Sequence, residues 1–135
     1  MLDTSPLTAA VERFADRLRA APQSRLQQGA AEVALDLARE LSLRAQRLEA
    51  ASADGTAAGD AAGAAPARTM PDAGIFVVGD QLAVAGLDLA EALHAAVADP
   101  AGAPGPDGPD TAKAPSEVLD EAVRLVDQAE ARALR

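Results

Sequence analysis

Only one run in this chain, Ile75-Phe76-Val77-Val78, has the composition of a β-strand, and no other segment could pair with it. An unpaired strand leaves its backbone N–H and C=O groups without partners, and a nucleotide-binding α/β sheet needs several strands alternating with helices. The Gly-Asp that ends "GIFVVGD" is therefore not enough to make it a phosphate-loop strand. Read at 3.6 residues per turn, the stretch 74–96 aligns Ile75, Val78, Leu82, Ala85, Leu89, Leu93 and Val97 on one side. Asp80, Gln81, Asp88, Glu91 and His94 fall on the other. The spacing predicts a helix over 71–98, with Pro71 near its start and Asp99-Pro100 at its end. Gly79 and Gly86 sit seven apart beside the stripe. Each costs a helix about 1 kcal/mol relative to alanine, which close packing against a neighbour would offset.

Three further segments show the same period. Leu7, Ala10, Val11, Phe14, Leu18 and Ala21 form a narrow stripe on a helix over 5–21, with Thr4 or Ser5 placed to cap it and Pro6 in its first turn. After Pro22 and a connection of about three residues, Ser24 can cap a longer helix over 24–51, with Leu26, Ala30, Val33, Ala34, Leu37, Leu41, Ala45 and Leu48 on its apolar side. So short a joint predicts that these two helices are antiparallel neighbours. The last helix, 116–134, follows Pro115 with Ser116 as its cap, acids in its first turn and Arg132 and Arg135 at its end, the polarity that a helix dipole favours. Between the helices, 52–70 collapses to Ala, Gly, Asp and Thr, and 99–115 carries five of the nine prolines. Both have the composition of flexible linkers. The expected fold is all-α: a small antiparallel bundle of three to four helices in one domain, 1–135, with two Ala/Gly/Pro-rich linkers.

Composition narrows the chemistry. The chain has no cysteine, hence no disulfide, thiolate metal site or cysteine nucleophile. Its net charge is −9, and residues 1–51 balance seven Arg with seven acids, so the whole excess lies in 52–135. No Lys or Arg occurs between Arg68 and Lys113. A nucleic-acid partner is not expected, because phosphate binding needs clustered cations. Nor is a membrane: Asp80, Gln81, Asp88 and Glu91 interrupt the apolar run before it could span one. Met1-Leu2-Asp3-Thr4 has no basic region leading into an apolar run, so the expected location is cytoplasmic.

Few residues could carry catalysis. Glu91 and His94 make one Glu-x-x-His pair, but a di-iron bundle site needs two such pairs, and this chain has a single histidine. No Ser-His-Asp arrangement and no phosphate loop is arguable, so no cofactor is expected. Glu32, Asp36 and Glu40 recur every four residues, and Asp88 with Glu91 could face them across a bundle. That is the basis for an alternative, a carboxylate-dependent metal-assisted enzyme. Arg44 and Glu130 lie inside apolar stripes, where ordinary surface pairing, Glu40 with Arg44 in particular, is the simpler expectation. Apolar residues surplus to one stripe per helix point elsewhere. Phe76, Val77, Val84 and Leu87 make the 71–98 helix apolar nearly all round, and Leu35 and Leu43 lie off the second helix's stripe. These six are the candidate partner surface of a small adaptor or regulatory protein that binds another protein or a second copy of itself.

Overall fold

The computed structural model describes residues 2–53, 69–98 and 114–134, and these are helical apart from short turns and the segment leading into the third long helix. Helix α1 is Ser5–Ala20, α2 the short Gln23–Arg25, α3 the long Ala31–Ala53, α4 Val78–Ala98 and α5 Pro115–Ala133. The expected linkers, 52–70 and 99–115, lie outside the described residues except at their margins.

The starts of the four long helices depart from the sequence expectation in position or in cap, each for a local reason. The helix expected from Ser24 is interrupted, because Gly29 in the widened turn Leu26–Ala30 takes φ +132°. Only glycine enters that region without strain, so the chain bends there and α3 begins at Ala31. Ser24 does not cap, since α2 starts directly after the extended Pro22. The helix expected from Pro71 starts at Val78, because Gly74 at φ +104° and a turn closed by the Val77 N–H on the Gly74 carbonyl precede it. Thr4 precedes α1 without a side-chain cap. Asp3 does that work instead, accepting the Ser5 N–H at 3.0 Å, and its hydrogen bonds from Ser5 hold the Asp3 carboxyl below its ordinary range. Similarly, Pro115 opens α5 and Ser116 makes no cap.

The helices form a four-membered ring. α4 packs on α3 and α1, α5 packs on α1 and α3, and α1 and α3 stand diagonally with little contact. This overturns the expected neighbour hairpin: the bend at Gly29 carries the chain across the end of the bundle and leaves α1 and α3 separated by the other two helices. Directions follow from the contacts. Thr4 meets His94, Val11 meets Gly86, Ala15 meets Gly79 and Arg19 meets Asp80, so α1 and α4 are antiparallel. Val78 and Gln81 share a groove with Leu35, and Asp88 shares one with Ser42 and Gln46, so α3 and α4 run the same way. A parallel neighbour requires a crossover, as in bundles with one long connection. Its described end, 69–77, is tied down by Arg39 Nε donating to the Met70 carbonyl at 2.8 Å and Gln81 Nε2 donating to the Pro71 carbonyl at 2.8 Å.

The core is one cluster built around Phe14, Leu7, Leu18, Leu41, Leu82, Leu89, Leu93 and Val126, all fully buried. Alanines fill the remaining interior positions, including Ala34, Ala38, Ala85 and Ala122, which lets the helices approach closely. Between α1 and α4 the approach is close at two glycines. A Cβ on Gly86 would stand 2.7 and 2.9 Å from the two Val11 methyls, and one on Gly79 would stand 3.2 Å from the Ala15 carbonyl oxygen. The two glycines that weaken α4 as an isolated helix are therefore where α1 fits against it. Gly86→Ala should lower stability by about 1–2 kcal/mol, because overpacking outweighs the gain in helix propensity. In a Val11→Ala background the same substitution should cost less or stabilise. Urea unfolding of the four proteins of this cycle measures the coupling directly.

Candidate interaction surface

Helix α4 packs between α3 and α1, meets α5 only lightly across the core, and is open on its outer side. All five large apolar side chains that are exposed among the described residues lie on it or in the turn leading into it: Phe76 (75% exposed), Val77, Val84 (52%), Leu87 (52%) and Val97. Packing against α1 through Gly79 and Gly86, and burial of Val78, Leu82, Ala85 and Leu89 in the core, fix the rotation of α4 about its axis. With those positions turned inward, Val84 and Leu87 must point out. Val97, which the periodicity assigned to the core stripe, is exposed in the last turn, beyond Leu93, the last fully buried residue of α4.

Leu35 and Leu43 are placed differently. Leu35 is buried, part of the central cluster, and forms the floor of a groove of about 510 Å³ between α3 and the 72–81 region. Leu43 is half-buried on α3. Neither adds to the open α4 face. The groove over Leu35 is edged by Glu32, Asp36 and Asp72 and by Arg39 and Gln81. Gln81 Oε1 is enclosed with no hydrogen-bond partner, while the Nε2 of the same amide is spent on Pro71.

The polar residues singled out in the sequence act as ties between helices. Arg44, 16% exposed, donates to Glu40 at 3.0 Å and to Glu121 of α5 at 2.9 Å. The expected Glu40 pair is present, and Arg44 also holds α5 to α3. Glu130, whose side chain is 10% exposed, receives Arg13 at 3.3 Å and Arg17 at 3.4 Å from α1, and Arg13 reaches Asp127 as well. Arg44 and Glu130 thus have different partners. A half-turned guanidinium flexible enough to stay in water brings charge to a buried carboxylate at low desolvation cost. At the α1–α4 seam Arg19 pairs with Asp80 at 2.6 Å and with Asp16 at 2.9 Å. Hydrogen bonding to Asp80 raises the Arg19 pKa. His94 shares a 2.9 Å hydrogen bond with the Thr4 hydroxyl, which is why that hydroxyl is not a helix cap.

The acids that a metal site would require are kept apart. Because α3 and α4 run in parallel, Asp88 lies beside Ser42, Gln46 and Glu49, while Glu32 and Asp36 lie near the start of α3 beside Asp72. Glu91 is on the outer side of α4. Among the described residues no group of three or more His, Asp or Glu is placed to hold a metal ion. No described helix is long and apolar enough to cross a membrane. Comparison of the chain with protein-family models, with curated proteins and with solved structures finds no match.

The surface features that the sequence did not disclose are Glu12 and a small recess beside Leu87. Thr8, Val11, Glu12, Ala83, Gly86 and Leu87 enclose about 30 Å³ at the α1–α4 seam, where Gly86 presents no side chain. The signal was the seven-residue glycine spacing, but the helix that would meet it was not readable. Addition of millimolar Mg²⁺ or Mn²⁺ should leave the melting temperature unchanged, since only a ligand bound preferentially by the native state raises it; a rise of several degrees in a thermal scan would restore the metal-dependent alternative.

Proposed function

We propose that this chain is a small, cytoplasmic helical interaction protein, an adaptor or regulator that docks another protein on the open face of α4. One observation carries the reading: every exposed large apolar side chain among the described residues belongs to residues 76–97, while the other helices turn theirs inward. Apolar residues scattered singly over a surface need no explanation, but Val84 and Leu87, about one turn apart on the outer side of α4, with Phe76 and Val77 exposed in the turn that leads into it, resemble the anchors used in helix-mediated recognition. Support also comes from the energetics of the fold. The core is closed without Phe76, Val84 or Leu87, so these residues contribute little to stability and their apolar character has no role inside the molecule. Scarcity of catalytic side chains and the separation of the acids favour this reading over the carboxylate-dependent enzyme.

The test uses Phe76→Glu with Leu87→Glu. Because both side chains are half or more exposed, the double variant should fold, with a circular dichroism spectrum like that of the wild type and a stability loss under about 1 kcal/mol. A tagged wild-type protein should retain a stoichiometric partner from its own cell lysate that the folded variant loses. Retention of the same partners by both proteins, or of none by either, would remove the α4 face from the proposal.

A further inference from the structure

Resting on that docking reading, the charges around Val84 and Leu87 specify the partner's chemistry. On α4 the two apolar side chains are bracketed by Asp80, one turn before Val84, and Glu91, one turn after Leu87. Asp88 stands one turn beyond Val84, and from α1 Glu12 lines the recess beside Leu87. Asp80 is neutralised by Arg19. Glu12, Asp88 and Glu91 are exposed and have no ion-pair partner among the described residues. Helix α4 itself contains no Lys or Arg to answer them. An apolar strip flanked by three unanswered carboxylates repels a second copy of itself and any anionic surface, and it attracts a surface of opposite pattern.

We infer that the α4 face receives a basic amphipathic helix of a partner protein, with apolar side chains laid over Val84 and Leu87 and Lys or Arg side chains reaching Glu12, Asp88 and Glu91. The strip from Asp80 to Glu91 is about 16 Å long at the helical rise of ~1.5 Å per residue, which matches roughly three turns of an incoming helix. The recess beside Leu87 accepts the tip of one small apolar side chain. A face of this size gives modest affinity, and its charged margin makes association dependent on ionic strength.

The probes are two synthetic 18-residue helical peptides with the same leucine face, one with lysine margins and one with glutamate margins, titrated into the isotope-labelled full chain and followed by amide NMR. The lysine peptide should perturb residues 80–91 and the neighbourhood of Glu12. Its Kd should rise about tenfold or more between low and moderate salt, and the glutamate peptide should bind at least about tenfold more weakly. Glu12→Gln with Glu91→Gln, both at exposed positions, should weaken the lysine peptide about two- to fivefold per carboxylate, and Leu87→Ser should weaken both peptides. Equal binding of the two peptides to the α4 face, perturbations spread over the acids of α5, a dimer formed through α4 in sedimentation at low salt, or no binding of the lysine peptide would each overturn the inference. A lysate partner lost on Phe76→Glu and Leu87→Glu, together with failure of the lysine peptide, would retain the docking reading and discard the basic helix; loss of both would discard both.

Discussion

The meeting of α1 and α4 at Gly86 and Gly79 sets the geometry on which the rest of the molecule depends. A residue with a Cβ at Gly86 would collide with Val11, so the absence of a side chain there lets the two helix backbones come close. Close approach along two turns brings their ends into register, and Thr4 with His94 and Arg19 with Asp80 fasten those ends. In an ordinary helix these glycines would be a cost without return. Here the packing made possible by the missing Cβ atoms compensates for the lower helix propensity, and the Val11–Gly86 contact places Phe14 and Leu7 of α1 in the centre of the core.

That seam also determines what the surface presents. A helix packed between two neighbours keeps its outer arc free, and fixing Gly79 and Gly86 toward α1 assigns that arc to Val84, Leu87 and the carboxylates around them. Opposite it, α5 is attached by a different kind of interaction. Its buried Glu130 takes Arg13 and Arg17, and its Glu121 takes Arg44, so charge as well as apolar area joins it to α1 and α3. Removing one member of such a set would leave an uncompensated group near the core, a larger effect than loss of an exposed pair. The bundle thus has a side locked by close packing and a side locked by charge, and the open apolar face lies on the former.

Much of this was legible in the sequence because helical periodicity is a local property. The stripe of α1 corresponds closely to its buried residues, since Leu7, Ala10, Val11, Phe14 and Leu18 are all buried. The role of Gly79 and Gly86 as packing points was also readable, because glycine inside a helix needs a reason. Boundaries were less legible where backbone conformation decided them. Gly29 at φ +132° and Gly74 at φ +104° break helical patterns whose apolar spacing continues through them. Thr4 and Ser24 had the chemistry of caps, yet the Thr4 hydroxyl is drawn to His94, ninety residues away in the chain, and no local rule could anticipate that.

By itself the sequence determined the all-helical class, the four long helical segments, the buried stripe of α1, and the absence of Lys and Arg from α4, because each depends on residues within a few turns of one another. The tertiary structure alone decided which helices became neighbours. It set α1 and α3 on the diagonal, turned α4 parallel to α3, and thereby separated Asp88 from Glu32 and Asp36 instead of gathering them. It also sorted the surplus apolar residues, burying Leu35 beneath a groove and leaving Val84 and Leu87 in the open. The physical reason is the same throughout: spacing along a chain fixes the faces of a helix, but helix rotation and partner choice are fixed by which surfaces can approach most closely, and that depends on side chains far apart in sequence.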